Sequence, residues 1–353
     1  MTGGREIVLS QLGRASLEFL GALGARASAL QRQMAVDYSA SITSLEVPAT
    51  DATREVKVAF VEGVMARVPA YRYWSVLSRW GSEQNTLVAS AAFDEARAAI
   101  EPSLTIDPSA IEEPSDFEAP SYWKDFEFHL TAGGWDGHEH MGFIHHELVY
   151  EYVVAPGFAG KGGGDITAQR AHACRELPRT DYERVLELGC ATGRFTEALA
   201  QVFPNAAITG IDPSIAELRY CARWAHDHGR TWSLRRAVAE RTGFGPDSFD
   251  LVAAYIVLHE MPPNAVVDAL RESFRVLAAG GQFLSADVTP YAQLDAYRTF
   301  VNEWEPRYRN EPWWRTTAQL DLAGLLTEVG FVDVRAYGLG PAAYPWIVMG
   351  TKP

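Results

Sequence analysis

The chain has 353 residues, of which 47% are hydrophobic, and a formal net charge of −14 at pH 7. At roughly 100–200 residues per domain this length predicts two domains, and such an acidic surface argues against nucleic-acid binding because it repels phosphate backbones. Since Cys174, Cys190 and Cys221 are too few and too scattered for a disulfide framework or a cysteine-based zinc site, we expect a reducing, cytoplasmic setting.

The first 120 residues are predicted to form a helical N-terminal domain. Apolar residues recur at helical spacing in three stretches, 6–40, 51–67 and 84–100. Glu18 and Arg26 interrupt the apolar run at 17–30, so we predict neither a signal peptide nor a membrane span. The apolar stripes favour core or dimer packing. We therefore expect these helices to cover the substrate or to pair two copies in a homodimer.

A proline-rich acidic segment follows at 101–120, with four prolines and six acidic residues but no lysine or arginine. Proline removes backbone donors and disfavours helix in the residue before it, which predicts a linker or an extended surface crossing. Residues 121–180 are rich in aromatic residues and histidine in their first part, and we predict that they form a lid that contacts the substrate.

From residue 181 to 353, short β-type runs alternate with helical stretches. The predicted strands are 185–188, 207–211, 249–255 and 281–288, and the predicted helices are 194–202, 214–227, 264–277 and 317–329. Two further runs, 331–338 and 346–352, are predicted to close the sheet as an antiparallel pair. Strands that alternate with helices indicate parallel βαβ units and a doubly wound α/β fold.

The strongest motif is a glycine turn after the first of these strands, VLELGCATG at 185–193. Glycine allows a sharp turn and a close backbone approach to a ligand. Glu187 stands two residues before Gly189, and Asp212 ends the next strand, where it can accept hydrogen bonds from ribose hydroxyls. The Glu187 carboxylate would repel a pyrophosphate but attract a cationic amino group or sulfonium, which favours S-adenosylmethionine over a dinucleotide.

The segment ELGCATG resembles motif I of the class I S-adenosylmethionine-dependent methyltransferases of the small-molecule type. GIDPS at 210–214 resembles the second-strand motif of that family, and the stretches 237–262 and 270–287 are similar to its later strand motifs. The resemblance covers about half of the chain, in the expected order. It implies a Rossmann-like, doubly wound, seven-stranded sheet with S-adenosylmethionine as the cofactor.

The resemblance also implies roles for individual residues at the cofactor. The residues expected to line the methionine end are Glu187, Gly189, Cys190, Ala191 and Gly193. Asp212 is expected to hold the ribose, while Pro213, Ala239 and Glu240 flank the adenine and Tyr255 and Val257 lie near the methyl group. This sequence departs from the family pattern at Ala191, which replaces the middle glycine, and at Val238, where the family often has an aspartate.

Methyl transfer to a hydroxyl usually needs a general base. His259, in VLHEMPP at 257–263, is similar to the base of the LHDW-type segment of small-molecule O-methyltransferases, and Glu260 is a residue that could orient it. The alternative reading of His259 is a structural histidine that packs under the sheet.

The histidine-rich segment 131–152 matches no metal-ligand spacing, so we expect no metal there. We expect it to line the substrate pocket, with His145 and His146 as alternative bases, or to form loop and helix surface. An aromatic acceptor would suit Trp135, Tyr150 and Tyr152, and the insertion at 291–315 would add Trp304 and Trp313. The alternative reading of these aromatic residues is ordinary packing.

The sequence therefore predicts an enzyme that transfers a methyl group to a small molecule, with no nucleic-acid or membrane partner. Two alternatives stay open. A chain with this cofactor site can catalyse a different reaction, such as cyclisation, decarboxylation or a pericyclic step, or it can be a non-catalytic assembly protein.

Overall fold

Three long helices precede the sheet in the computed structural model, which describes residues 7–160, 166–340 and 342–353. They are α1 (Gln11–Ser41), α2 (Arg54–Met65) and α3 (Pro69–Ile100). The side chains of Ser10 and Thr53 cap α1 and α2 by accepting hydrogen bonds from backbone N–H groups. Helix α3 begins well before the predicted residue 84, because Pro69 stands at its first position, where the fixed φ of proline favours a helix start.

Helices α1 and α3 pack against each other and leave an apolar face in solvent. We call this the α1/α3 face; its exposed residues are Leu12 (67%), Phe19 (57%), Val76 (67%), Trp80 (43%) and Leu87 (53%). The rings of Phe19 and Trp80 meet edge to face at 6.1 Å, so the two stripes are continuous. Within the described residues, every helix is too short or too polar to cross a lipid bilayer.

The segment between α3 and the sheet is more ordered than a simple linker. Its two-residue strand β1 (Ile111–Glu112) pairs in parallel with the edge of the sheet. The short helices α4 (Ser121–Lys124) and α5 (Met141–Phe143) follow, then a π-helical segment at Ile144–Val154, α6 (Ala155–Gly160) and α7 (Ile166–Arg175). The predicted lid is therefore mostly helical and packs both with α1 and α3 and with the helix at Ile215–Asp227.

The sheet has eight strands in the described chain. The remaining seven are β2 (Arg184–Leu188), β3 (Ala207–Asp212), β4 (Ser233–Arg236), β5 (Phe249–Tyr255), β6 (Leu277–Asp287), β7 (Val332–Gly338) and β8 (Trp346–Thr351). Their order is β1-β4-β3-β2-β5-β6-β8-β7, in which β8 runs antiparallel to β6 and to β7 and the other pairs are parallel. The predicted doubly wound α/β fold is confirmed, with β1 as an addition to the seven expected strands.

Helices cover both faces of this sheet and bury its strands. They are α8 (Arg194–Val202), α9 (Ile215–Asp227), α10 (Pro263–Val276) and α14 (Leu322–Val329), while α11 (Ala296–Asn302), α12 (Trp304–Tyr308) and α13 (Trp314–Thr317) lie in the insertion after β6. Two apolar cores result, one on each side of the central strands. Because β2, β3 and β5 run in parallel, their carboxyl ends meet at one sheet edge, where ligands bind in such folds.

Candidate functional site

A cavity of about 580 Å³ opens at the carboxyl ends of β2, β3 and β5. Its walls come from the glycine turn, from the lid segment and from the insertion after β6. The residues named from the sequence that line it are Glu187, Gly189, Cys190, Ala191, Asp212, Pro213, Ala239, Glu240, Tyr255, Val257, Glu260, Trp135, His145 and Tyr150. One cavity thus brings together most of the expected cofactor residues and part of the expected substrate residues.

The glycine turn has no room for larger side chains at its two ends. Gly189 has a φ of +68°, and a Cβ there would lie 2.5 Å from a methyl carbon of Val257. Gly193 has a φ of +86°, and a Cβ there would lie 2.8 Å from the ring of Trp232. Between them Ala191 adopts a φ of +43°, a left-handed conformation that costs a non-glycine residue roughly 1–2 kcal/mol. Such strain persists where the surroundings fix the backbone, as at ligand sites.

Two buried carboxylates flank this turn. Asp212 accepts hydrogen bonds from the backbone N–H groups of Ala191 and Ser214, at 2.9 and 2.8 Å. Burial raises the pKa of Asp212 to about 8, and burial also raises the pKa of Glu187 to about 8. The Oε2 atom of Glu187 is buried without a hydrogen-bond partner. A cationic group that enters here finds a free acceptor oxygen on Glu187, and its charge favours the ionised form of both carboxyl groups.

The wall beside Asp212 is apolar and ends in a buried acid. Pro213 and Ala239 line the cavity there, and Glu240 lies next to them. The hydroxyl of Tyr122 donates a 2.6 Å hydrogen bond to Oε1 of Glu240, while Oε2 of Glu240 has no partner. A flat ring that offers an N–H at its edge fits a slot of this kind.

A buried arginine also lines the cavity. Arg170 on α7 donates a 3.3 Å hydrogen bond to the hydroxyl of Tyr150, and its guanidinium lies 5.1 Å from the centre of the Tyr255 ring. The positive charge of Arg170 also acts on Glu187. Burial opposes ionisation of Tyr150, but the guanidiniums of Arg170 and Arg194 outweigh it, so the pKa of Tyr150 lies below its ordinary value.

Aromatic rings and polar groups line the remaining part. The ring of Trp135 lies 5.0 Å from that of His145, and the Nε1 of Trp135 donates a 3.3 Å hydrogen bond to Oε2 of Glu260. The Nδ1 of His145 lies 3.2 Å from Oε1 of Glu217, which comes from α9. His129 lies on the other side of Glu260, with Nε2 at 3.5 Å from Oε1. This end of the cavity can therefore hold a flat molecule against carboxylates and imidazoles.

His259, the general base predicted from the sequence, does not line the cavity, and its catalytic role stays a prediction. The side chain is 1% exposed, and its Nδ1 lies 2.8 Å from Oδ1 of Asp287. Burial disfavours the charged ring, but Asp287 outweighs this and raises the pKa of His259 to about 9.

Five other residues named from the sequence also lie outside the wall: Gly193, His146, Tyr152, Trp304 and Trp313. His146 is buried, contacts the hydroxyl of Thr192 through Nδ1 at 2.9 Å, and burial holds its pKa well below the ordinary value. Trp304 packs on Trp74, with ring centres 4.2 Å apart.

Tyr152 and Trp313 have packing roles as well. Tyr152 packs with α1, and Trp313 reaches the backbone oxygen of Tyr122 at 3.5 Å. These aromatic residues pack outside the cavity wall. Ordinary packing is the alternative reading that the sequence analysis gave for them.

Sequence reasoning missed several residues at the cavity, among them Tyr122, His129, Arg170 and Glu311. The first three line it, and Glu311 lies directly behind His129. Each belongs to a segment without a recognisable motif. The one available signal was their position, in the lid segment 121–180 and in the insertion 291–315, where the family resemblance places substrate contacts.

Comparisons with known proteins point to one family. A model of the methyltransferase domain family matches residues 185–281. A malonyl-[acyl-carrier protein] O-methyltransferase from Legionella pneumophila is 33% identical over 162 residues, which make up 46% of this chain and 52% of that protein. An uncharacterized methyltransferase from Synechocystis is 30% identical over 158 residues, 44% of this chain and 69% of that protein.

A solved S-adenosylmethionine-dependent methyltransferase from Thermotoga maritima, described as a possible histamine N-methyltransferase, covers 61% of this chain and 100% of its own at 21% identity, with a TM-score of 0.42. The chain spans about half the length of the first curated relatives it matches, at 52% and 56%.

The family match covers nearly all of β2, the glycine turn and Asp212. The chain belongs to the class I S-adenosylmethionine-dependent methyltransferases, and S-adenosylmethionine is its cofactor.

Proposed function

We propose that the protein transfers a methyl group from S-adenosylmethionine to a small-molecule acceptor. The observation that carries this proposal is the single cavity of about 580 Å³ that the glycine turn shares with Trp135 and His145. Ligand pockets in proteins are usually about 300–1,000 Å³. A cavity of this volume that also contains the cofactor leaves room for a compact acceptor rather than for a folded protein or a nucleic acid.

In this proposal, each charged group of the cofactor lies against a protein side chain of opposite charge. Glu187 holds the amino group and Arg170 holds the carboxylate of the methionine part. Asp212 accepts from the ribose hydroxyls, and the adenine lies between Pro213 and Ala239, near the free oxygen of Glu240. The support is the burial of these groups and the unpaired oxygens of Glu187 and Glu240.

The reaction in this proposal is an in-line displacement. Most of the catalytic effect comes from the alignment of donor and acceptor in a site without bulk water. The acceptor oxygen forms a bond to the methyl carbon while the carbon–sulfur bond breaks, and the sulfonium leaves as a neutral thioether. Trp135 and Tyr150 hold an aromatic or otherwise flat acceptor at the required angle.

His145 takes the place of His259 as the proposed general base. Its contact with Glu217 fixes Nδ1 as the N–H donor, which leaves a lone pair on Nε2. A base that is oriented by a carboxylate and lines the cavity meets the geometric requirement that His259 does not. His146 is excluded from this role in the proposal because Thr192 and the core enclose it.

A methyl-labelled cofactor tests the proposal. The protein is incubated with labelled S-adenosylmethionine and pools of small hydroxyl-bearing or amino-bearing acceptors, and label in product is compared with the S-adenosylhomocysteine formed. We expect the two in equal amounts, and loss of both in His145→Ala with cofactor affinity retained. Product that accumulates without S-adenosylhomocysteine would instead establish a non-methylation reaction, and cofactor binding without any product from any pool would support the assembly role.

A further inference from the structure

Charged groups meet in the part of the cavity wall that His129, Trp135 and Glu260 form, which we call the acceptor wall. The Nδ1 of His129 lies 2.6 Å from Oε1 of Glu311, and its Nε2 lies 3.5 Å from Oε1 of Glu260. Burial disfavours the charged ring, but Glu311 and Glu260 outweigh it and raise the pKa of His129 to about 10. His129 is therefore an imidazolium between two carboxylates at neutral pH.

This arrangement leaves one negative charge without a counter-charge. Glu311 makes the shorter contact and has no exposed side-chain surface, so it balances the charge of His129. Glu260 makes the longer contact, and its side chain is 16% exposed and lines the cavity. Glu305 and Arg309, which also line the cavity, lie 3.2 Å apart and together carry no net charge. The surplus charge of the acceptor wall therefore lies on Glu260.

Glu260 also has acceptor positions to spare. The Nε1 of Trp135 donates a 3.3 Å hydrogen bond to its Oε2, which fixes the direction of the carboxylate. A carboxylate has about four lone-pair positions for hydrogen bonds, and Trp135 and His129 approach only two of them. A donor with a positive charge is the group that fits both the charge and the free positions of Glu260.

Aromatic rings make the same cavity favourable for a cation. Besides Trp135, they include Tyr122, Trp123 and Trp314. The face of an indole or phenol ring attracts an ammonium group, and the attraction is stronger where water is excluded. A carboxylate or phosphate on the acceptor would instead meet the surplus negative charge of Glu260. The lining thus favours a cationic molecule over an anionic one.

Trp314 adds a requirement for an oxygen atom in the bound molecule. Its side chain is 8% exposed and lines the cavity, and its Nε1 has no hydrogen-bond partner among the described residues. An indole N–H can only donate, and a buried donor without a partner is costly. A hydroxyl oxygen of the acceptor would satisfy it.

We propose that the acceptor is a small hydroxylated amine, whose ammonium group binds Glu260 and the ring of Trp135 while a hydroxyl oxygen receives the methyl group. This inference rests on the proposed methyl transfer and names its substrate class. The ammonium group is an anchor, since no bond to its nitrogen forms or breaks. Glu260 thereby selects the acceptor by charge.

The test compares molecules that share a ring and differ in the charge at the end of the side chain. One series is dopamine, ethylcatechol and dihydroxyphenylpropionate, and a second is tyramine, ethylphenol and hydroxyphenylpropionate. Calorimetry on protein saturated with S-adenosylhomocysteine gives each affinity, and label from methyl-labelled S-adenosylmethionine gives each rate. We expect the amine to bind about tenfold or more tightly than the neutral molecule of its series, because it gains a hydrogen bond to a charged group, and the anion to bind most weakly.

Glu260→Gln keeps the shape of the side chain and removes its charge. The amines should then bind no more tightly than the neutral molecules, whose affinity should stay as in the wild type. Unchanged affinity for S-adenosylmethionine reports that the variant is folded. The matched control is Glu139→Gln, at an exposed lid residue that pairs with Arg97 and does not line the cavity, and it should retain the preference for amines.

The comparison on the wild type stands by itself should Glu260→Gln fail to fold. Equal affinity for amines and neutral molecules, tighter binding of the anions, no binding of any amine at millimolar concentration, or a preference that Glu260→Gln retains would overturn the inference. If the amines bind preferentially but receive no label, the ammonium site stands and the proposed function fails. If all molecules of a series are methylated equally well, the proposed function stands and this inference fails.

Discussion

The Nδ1 of His259 lies 2.8 Å from Oδ1 of Asp287, and both side chains are buried. The other oxygen of Asp287 accepts hydrogen bonds from the backbone N–H groups of Val257 and Leu258, at 3.0 and 2.8 Å. Ile256, which precedes them, has a φ of +55°, an unfavourable conformation for a β-branched residue. The ion pair therefore fixes a strained turn after β5 that forms part of the cavity wall.

We expect His259→Gln to lower the free energy of unfolding by about 3–5 kcal/mol at pH 6.5, the usual cost of removing one partner of a buried ion pair. The pKa of His259 is about 9 in the folded chain and about 6.5 when unfolded. Its contribution is therefore complete below pH 6.5 and is lost as the pH rises through 9, so the difference between variant and wild type should shrink over that range.

Urea unfolding at pH 6.5 and at pH 9.5 measures this difference. His172→Gln, which changes an exposed histidine that contacts Glu176, should leave stability nearly unchanged. Unaltered stability of His259→Gln, combined with lost turnover and normal cofactor affinity, would restore His259 as the general base.

The surroundings of His259 show which features of this site the sequence alone can reveal. The strands, the glycine turn and Asp212 were predictable, because their hydrophobic runs and glycine positions are local features of the chain. The burial of His259 was not predictable, since it depends on Asp287, which follows 28 positions later in β6. The contact between His129 and Glu311 depends on packing between the lid and the insertion after β6, and no local pattern records it.

Helix α3 and strand β1 show the same limit in the fold. The start of α3 at Pro69 could be read from the proline, but Tyr73, Val76 and Trp80 face solvent and so weaken the expected helical pattern. Strand β1 has two residues, and its pairing with β4 is visible only once the sheet has formed.

Cofactor affinity should increase with pH. Burial raises the pKa values of both Glu187 and Asp212 to about 8, so below that pH these groups are largely protonated and hold no negative charge for the cofactor. Because folding raises both pKa values, the stability that these two groups contribute to the ligand-free protein is present at low pH. It is lost as the pH rises through 8.

We therefore expect affinity for S-adenosylmethionine to rise about tenfold or more from pH 6.5 to 8.5, together with a larger thermal stabilisation by the cofactor. Calorimetry and thermal melts at both values test this. The Glu187→Gln variant should show a weaker pH dependence than the wild type, and an affinity that is constant across this range in the wild type would contradict the account.

Arg170→Met should weaken binding of S-adenosylmethionine by about 1.5–3 kcal/mol, the usual range for a hydrogen bond to a charged group. Its proposed partner is the carboxylate of the methionine part. Methylthioadenosine lacks that carboxylate, so calorimetry should give the same affinity for this ligand with the wild type and with the variant.

Arg179→Met provides the matched control, since Arg179 is more exposed and pairs with Asp181. Equal weakening of both ligands by Arg170→Met would show that Arg170 supports the cavity wall through Tyr150 and Tyr255 instead.

The α1/α3 face leads to a prediction about assembly. An exposed apolar stripe that spans two packed helices is typical of a protein interface, and we expect two copies to pair through it. Trp80→Glu should convert a dimer into a monomer in analytical ultracentrifugation. Val332→Glu, at an exposed apolar residue on β7, is the matched control and should leave the dimer intact. A wild-type chain that sediments as a monomer at high concentration would contradict this assignment.

The most direct test of the central claim is calorimetric titration of the wild type and of Asp212→Ala with S-adenosylmethionine, with a nicotinamide dinucleotide as the comparison ligand. We predict one site for S-adenosylmethionine on the wild type, affinity reduced at least about tenfold in the variant because a charged ribose acceptor is removed, and no binding of the dinucleotide. Equal affinity of wild type and variant for S-adenosylmethionine, or a site that prefers the dinucleotide, would contradict the account.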